Sequence, residues 1–600
     1  MKYINTLILS ILFSSAVLAQ STDSLYLNIV IPEQDTVMYS YSRYRVAANT
    51  LPQASAFING KETKVYATGA FVDMIYPEND TTHIEFKVVL DGKEITRNMV
   101  LIKPKREPVV FNGKEIKDRM VKPGNDVWLN TGEKLVVQTM ATPGEHMVFN
   151  IDGFKRNIPM RELTRDESGG RQGIYQGSYV VKPSDYVMKQ HITFKMKKGL
   201  FGYIKKTSDF EVTLGGGVRV GKVIEDGAYL NTGLGTDRLG GYKYGFIEKD
   251  ILLNITGMKN GIYRVKLADG LDAWIPEKFV ELMPAGIEPV ESLTGNIRIS
   301  GNSSQDIITL NLSEKLPYTT FQQLDPNKII VDVYGATSNT NWKTKMLSSE
   351  GIKKVEWEQV ANGQFRMIIE LDHSQNWGYS VGYGWGSQLA VKINRPPVIT
   401  DPINPLSGRT IAVDAGHGGS SNGALGASGA KEKEVTLQIT QKLDSLLKLE
   451  GVNVILPRTN DSYVYMSERR EAVLSNKADL LVSIHANSIG YTSDPREVAG
   501  TGGFYKHMAY RPLAEILYKN MLDLGLKDYG LTGSFNFSLN GPIEFPNALV
   551  ETAFISNPEE EILLLDPDFQ VKIAEQIVKG LKEFYLKHAS IEALEEMPEK

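Results

Sequence analysis

Four prolines within ten residues, Pro396, Pro397, Pro402 and Pro405, divide this chain into two parts of different pattern. Proline fixes φ and offers no backbone donor, so neither a helix interior nor a central strand runs through such a stretch. Residues 399–408 therefore read as a stiff, extended linker. Before it the chain shows short alternating runs set off by turn pairs, the pattern of small β-modules. After it strands and helices alternate, which predicts a parallel or mostly parallel sheet covered by helices. The expected fold class is multidomain: several small all-β modules followed by an α/β hydrolase domain. A length of 600 residues agrees, since it exceeds one core and suggests about four or five domains.

The chain opens Met1-Lys2-Tyr3, continues with an apolar run from Leu7 to Leu18, and has Val17 and Ala19 at cleavage positions. A signal peptide over 1–19 is expected, and with it export to the periplasm or cell wall. The run is short for a bilayer, no later run reaches the roughly 20 apolar residues of a spanning helix, and a membrane-spanning protein is not expected. There is no cysteine. Disulfides, thiolate ligands and a thiol nucleophile are thereby excluded, which leaves carboxylates and eight histidines for any transition-metal site. A net charge of -5 without a long Lys/Arg block excludes an obvious nucleic-acid surface.

Upstream of the linker four modules are expected. Residues 20–108, with Asn59-Gly60 and Thr68-Gly69-Ala70-Phe71-Val72, resemble Ig-like modules, and 109–216 repeat the style with turns at Asn112-Gly113 and Asp152-Gly153. Residues 217–285 end in Gly261-Ile262-Tyr263-Arg264-Val265 and Leu271-Asp272-Ala273-Trp274-Ile275, similar to SH3-like modules or to a generic small barrel. Residues 286–398 resemble the AMIN targeting domain. Within them Trp377, Tyr379, Val381, Tyr383 and Trp385 alternate with small residues, so all five fall on one strand face. Such a stripe is a core face or a platform on which sugars stack.

Residues 409–590 form the expected catalytic domain, with an acidic tail over 591–600. Thr410 to Asp414 reads as a strand, and Glu434 to Leu449 as a helix with Val435, Ile439, Leu443 and Leu446/Leu447 on one stripe. Ser467 to Ser475 reads as a helix capped by its serine, and Asp479 to His485 as a strand apolar on both faces. In such sheets functional residues gather where strands end. His417 follows the first strand in Gly416-His417-Gly418-Gly419, His485 ends a second, and Glu551 ends a third. A carboxylate emerging from an apolar strand must be paired or bound. Glu432 and Glu434, at a helix start, offer a further carboxylate. Two histidines and one carboxylate leave the fourth position of a tetrahedral zinc for water.

Gly416-His417-Gly418-Gly419, Glu432-Lys433, Ser483-Ile484-His485-Ala486-Asn487 and Val550-Glu551, in this order, resemble the zinc-dependent N-acetylmuramoyl-L-alanine amidases. Pro457-Arg458-Thr459-Asn460-Asp461 and Phe554-Ile555-Ser556-Asn557 match as well. The resemblance implies Zn2+ held by His417, Glu432 and His485, and Glu551 as catalytic acid/base. It favours Glu432 over Glu434, casts Arg469 as a brace, and implies substrate contacts at Asn487 and Asn540. Asn540 stands where the family often has arginine, and Leu474-Ser475-Asn476 replaces an Ala-Asn pair. The implied partners are peptidoglycan and a protein activator at the division site. Competing functions are a zinc peptidase acting within the stem peptide and a catalytically dead wall-binding protein. The intact set of four residues argues against the latter. His507 and His588 belong to no motif, and His588 suits a helix C-terminus. The polar run between His485 and Gly502 has no helical stripe, so no built-in inhibitory helix is expected there.

Overall fold

The computed structural model describes residues 24–105, 109–199, 202–235 and 239–591. The expected signal peptide and all but the first residue of the acidic tail lie outside the described residues. The chain divides into two units, one of residues up to 104 with 427–429 and 490–495, the other of the remainder.

In the first unit, strands Asn28–Ile31, Tyr44–Asn49 and Ala70–Ile75 form one antiparallel sheet. Five more strands between Thr36 and Ile102 form a second. Alternation sets the inner face: Ile84, Phe86 and Val88 are buried while Glu85 is exposed. Phe71 and Phe86 meet edge to face at 6.3 Å between the sheets. Both turn pairs close hairpins. Asn59-Gly60 and Asp91-Gly92 have positive φ at both residues, as the tight turn matched to strand twist requires.

In the second unit, strand Val127–Leu129 pairs on one side with Gly202–Leu214 and on the other with Leu252–Lys259. The sheets expected to be separate on either side of residue 216 are thus hydrogen-bonded into one. Arg264 adds a two-pronged ion pair to Glu133 across the same junction, at 2.7 and 2.8 Å. Residues 297–394 form a five-stranded and a four-stranded sheet. Their apolar interior, including Ile308, Val331 and Ile369, is continuous with that of the strands of 219–282 before them.

After the prolines come β1 (Thr410–Ala415), α1 (Glu432–Leu449), β2 (Asn453–Ile455), α2 (Met466–Ser475) and β3 (Leu480–Asn487). They are followed by β4 (Thr501–Phe504), α3 (Arg511–Leu522), β5 (Asp528–Thr532), β6 (Asn547–Phe554), α4 (Pro558–Leu565) and α5 (Pro567–His588). The sheet order is β2-β1-β3-β6-β4-β5. Every pairing is parallel except β4 with β6, so the sheet is mixed. Successive residues of β3 point to opposite faces. Leu480, Val482 and Ile484 join the stripes of α1, α3 and α5 on one side, while Leu481 packs with Val473 of α2 on the other. Helix α1 starts two residues earlier than the apolar stripe indicates, and α2 is capped by Tyr465 rather than Ser467. The Tyr465 backbone N donates to the Glu468 carboxylate at 3.0 Å, a contact that serine spacing alone does not reveal.

The proline-rich stretch is not a free linker. Ile399, between the prolines, and Leu406, just after the last of them, are buried in the core of the α/β domain, and Val398–Ile399 pairs with Ser590–Ile591. The aromatic stripe is mostly core. Trp377 packs on Phe584 and Tyr585 of α5, each at 5.2 Å, Tyr379 is buried, and Trp385 is 98% exposed beyond the strand end. A continuous sugar platform is thereby ruled out in favour of packing. Trp377→Ala is expected to lower stability by roughly 3–5 kcal/mol, the usual cost of emptying an aromatic core position. Urea unfolding followed by circular dichroism would measure it. Among the described residues no helix is long and apolar enough to cross a membrane.

Candidate metal centre and active site

Beyond β1 the backbone turns sharply. His417 adopts φ +65°, a left-handed conformation rare for a residue with a side chain, and the surrounding fold must hold it there. Two buried arginines do so. Arg469 donates to Asp414 Oδ1 and the Ala415 carbonyl, both at 2.7 Å, and to the His417 carbonyl. Arg458 donates to the Ala415 and Gly416 carbonyls at 3.1 and 3.0 Å. Glycine is required at two close approaches. A Cβ on Gly416 would fall 2.5 Å from the His485 ring, and one on Gly423 2.5 Å from Glu432 Oε2.

The turn brings three ligand-type groups together. His417, Glu432 and His485 present atoms that all lie within 4.8 Å of one another. Glu432, in the first turn of α1, approaches His417 Nε2 with Oε2 at 3.1 Å and His485 Nδ1 with Oε1 at 3.0 Å. Backbone N–H groups of Ala424 and Ala486 donate to the same carboxylate at 2.8 and 3.1 Å. Burial pushes the Glu432 carboxyl up, but its hydrogen bonds with His417 and His485 outweigh this and hold it well below the usual carboxylate range. For His485 burial lowers the pKa and Glu432 raises it, with a net rise. Glu434 is exposed and meets only Lys431, at 3.8 Å. Its neighbour Lys433 turns inward and donates to the Gly419 carbonyl at 2.9 Å and Asp461 at 2.7 Å, tying down the Gly-rich turn.

Glu551 on β6 is directly in register with His485 on β3, so the two side chains leave the same face of adjacent strands. Hydroxyls fix both positions: Thr552 donates to the His485 carbonyl and Thr501 to that of Glu551, each at 2.9 Å. Asn487 lies half-buried at the end of β3. Asn540, expected among substrate contacts, is 1% exposed, and its amide points to the Phe504 carbonyl at 3.4 Å.

The donor set suits a zinc ion. Two imidazoles and one carboxylate are the ligands of many catalytic zinc sites, and His485 Nε2 is a buried ring nitrogen to which the protein gives no hydrogen-bond partner. The family profile described as N-acetylmuramoyl-L-alanine amidase (Amidase_3) matches residues 411–583, and that of the AMIN domain residues 296–393. YqiI of Bacillus subtilis (strain 168), an uncharacterized protein, is 32% identical over 181 residues, 30% of this chain and 87% of its own length. This chain belongs to the Amidase_3 family. N-acetylmuramoyl-L-alanine amidase LytC of the same organism is 30% identical over 299 residues, 48% of the chain and 55% of LytC. N-acetylmuramoyl-L-alanine amidase AmiC of Escherichia coli O6:H1 is 24% identical over 417 residues, 56% of the chain and 99% of AmiC.

Three features of this amidase escape a reading of its sequence motifs. Asp414 is buried and paired with both Arg469 and Ser483 Oγ, the latter at 3.0 Å, and the only sequence signal is a charge inside an apolar strand. His507 is half-buried with its Nε2 2.9 Å from the Gly541 carbonyl, and desolvation lowers its pKa to about 3. His588 is likewise pushed down, to about 4, by burial and by Lys587. Residues 488–500, between His485 and β4, contain turns and no helix.

Proposed function

We propose that this amidase hydrolyses the amide between N-acetylmuramic acid and the L-alanine of the peptidoglycan stem, with zinc held by His417, Glu432 and His485 and with Glu551 as acid/base. The observation that carries this is the register pairing of Glu551 with His485, one member of a three-ligand cluster. Bound there, zinc would supply a Lewis acid that polarises the scissile carbonyl and makes water more acidic. The protein's own groups do the rest. Glu551 takes a proton from the attacking water as its oxygen bonds to the carbonyl carbon, then delivers it to the departing L-alanine nitrogen as the C–N bond breaks. Arg458 and Arg469 keep the His417 turn in place throughout. Export to the periplasm or cell wall completes the proposal, since peptidoglycan lies there, and a protein activator is compatible with it.

Digestion of purified sacculi tests this reading. Mass analysis should find stem peptides with a free L-alanine amino group and glycan strands with bare lactyl carboxylates. Peptide fragments with L-alanine still on muramic acid would mean a peptidase instead, and no release at all would mean a wall-binding protein.

A further inference from the structure

A cavity of about 190 Å³ is linked to the metal cluster through Phe537. Phe537 forms part of its wall and also packs edge-on against the ring of His485, at 5.5 Å between centroids. Its charged lining is entirely cationic: Lys243, Arg470 and Lys506. Arg470 also borders a neighbouring cavity that holds Glu544. Lys506 is 4% exposed, and its Nζ lies over the face of Tyr242, 5.0 Å from the ring centroid. Lys243 lies over Tyr229 at 5.1 Å and Arg470 over Phe246 at 3.9 Å. Burying an ammonium is costly, and ring faces compensate it only in part. Burial and the charge of Lys243 lower the Lys506 pKa to about 8, which leaves most of it protonated at pH 7. The hydroxyl-bearing residues Ser467 and Ser538 line the same space. Cations, hydroxyls and apolar walls together are what an anion of modest size needs.

We infer that this cavity is a subsite for a free carboxylate of the stem peptide, built jointly by the barrel residues Tyr229, Lys243 and Phe246 and by the catalytic domain. The inference rests on the amidase reading, because a stem peptide is the anion-bearing part of that substrate. It also gives residues of the 217–285 segment a place in substrate selection. Cation–π bracing between modules is the competing explanation, and it predicts no dependence on substrate charge.

The test compares kcat/KM for a soluble muropeptide with free stem carboxylates and for the same compound with those carboxylates amidated. The full-length enzyme should prefer the free acid by roughly 10- to 100-fold, the range of one charge-assisted hydrogen bond. Lys506→Met, similar in length but uncharged, should bring that preference close to one. Absence of a preference in the unmodified enzyme, or its persistence in a folded Lys506→Met protein, would overturn the subsite. Should Lys506→Met not fold, Lys243→Met is read in the same way. Product masses from the same reactions report separately on the amidase reading: cleavage elsewhere in the stem would sink that reading whatever the preference shows.

Discussion

Replacing His485 with Ala is expected to remove zinc and activity together. His485 contributes a buried ring to a cluster of only three ligand-type groups, and its loss leaves His417 and Glu432 to hold an ion. Two protein ligands hold zinc weakly, while a catalytic site uses three plus an open position. The loss extends beyond one donor. Glu432 Oε1 accepts from both His485 Nδ1 and the Ala486 N–H, so the carboxylate also loses part of what orients it. His417→Ala should behave alike, since His417 approaches the other oxygen of the same carboxylate. Metal content by atomic emission and amide hydrolysis should both fall to background in each variant, with far-UV circular dichroism unchanged. Full zinc content in the His485→Ala protein would move the metal site elsewhere.

Much of this site is legible in the sequence because its chemistry is local. His417 follows β1, His485 lies near the end of β3 and Glu551 lies within β6, and each is a polar residue out of place beside or inside an apolar strand. Glu432 is less legible. The Glu-Lys pairing and the spacing from Gly429 favour it over Glu434, and the turn of α1 sets one carboxylate against the histidines and the other toward solvent. The roles of Asp414 and Arg458 are hidden for a different reason: the contacts that fix the His417 turn join residues far apart in sequence, Arg458 to the Ala415 carbonyl and Arg469 to Asp414. The same holds upstream. Hairpins at Asn59-Gly60 and Asp91-Gly92 follow from turn chemistry. Strand Val127–Leu129 gives no sign that it joins two sheets, because pairing is specified by backbone groups every residue carries. Ile399 and Leu406 show how a proline-rich composition hides anchoring residues.

Glu551→Gln separates chemistry from metal binding. Glu551 lies on β6, in register with His485 but outside the cluster of three mutually close ligand atoms. The variant should therefore purify with zinc at the unmodified level. Gln keeps the shape and a hydrogen-bonding end, so the β3–β6 pairing and the Thr501 contact to the Glu551 carbonyl, which is backbone, are retained. What it lacks is a group that can take a proton from water and return it to the leaving nitrogen. Turnover should fall by roughly 100- to 10,000-fold, the usual share of general acid/base catalysis. The fall should appear in kcat with little change in KM, because the lost interaction operates in the transition state rather than in the bound ground state. A Glu551→Gln protein that purifies without zinc would make Glu551 a ligand. One that keeps full activity would put the base elsewhere, and Glu434, exposed at the same helix start as Glu432, is then the next carboxylate to replace.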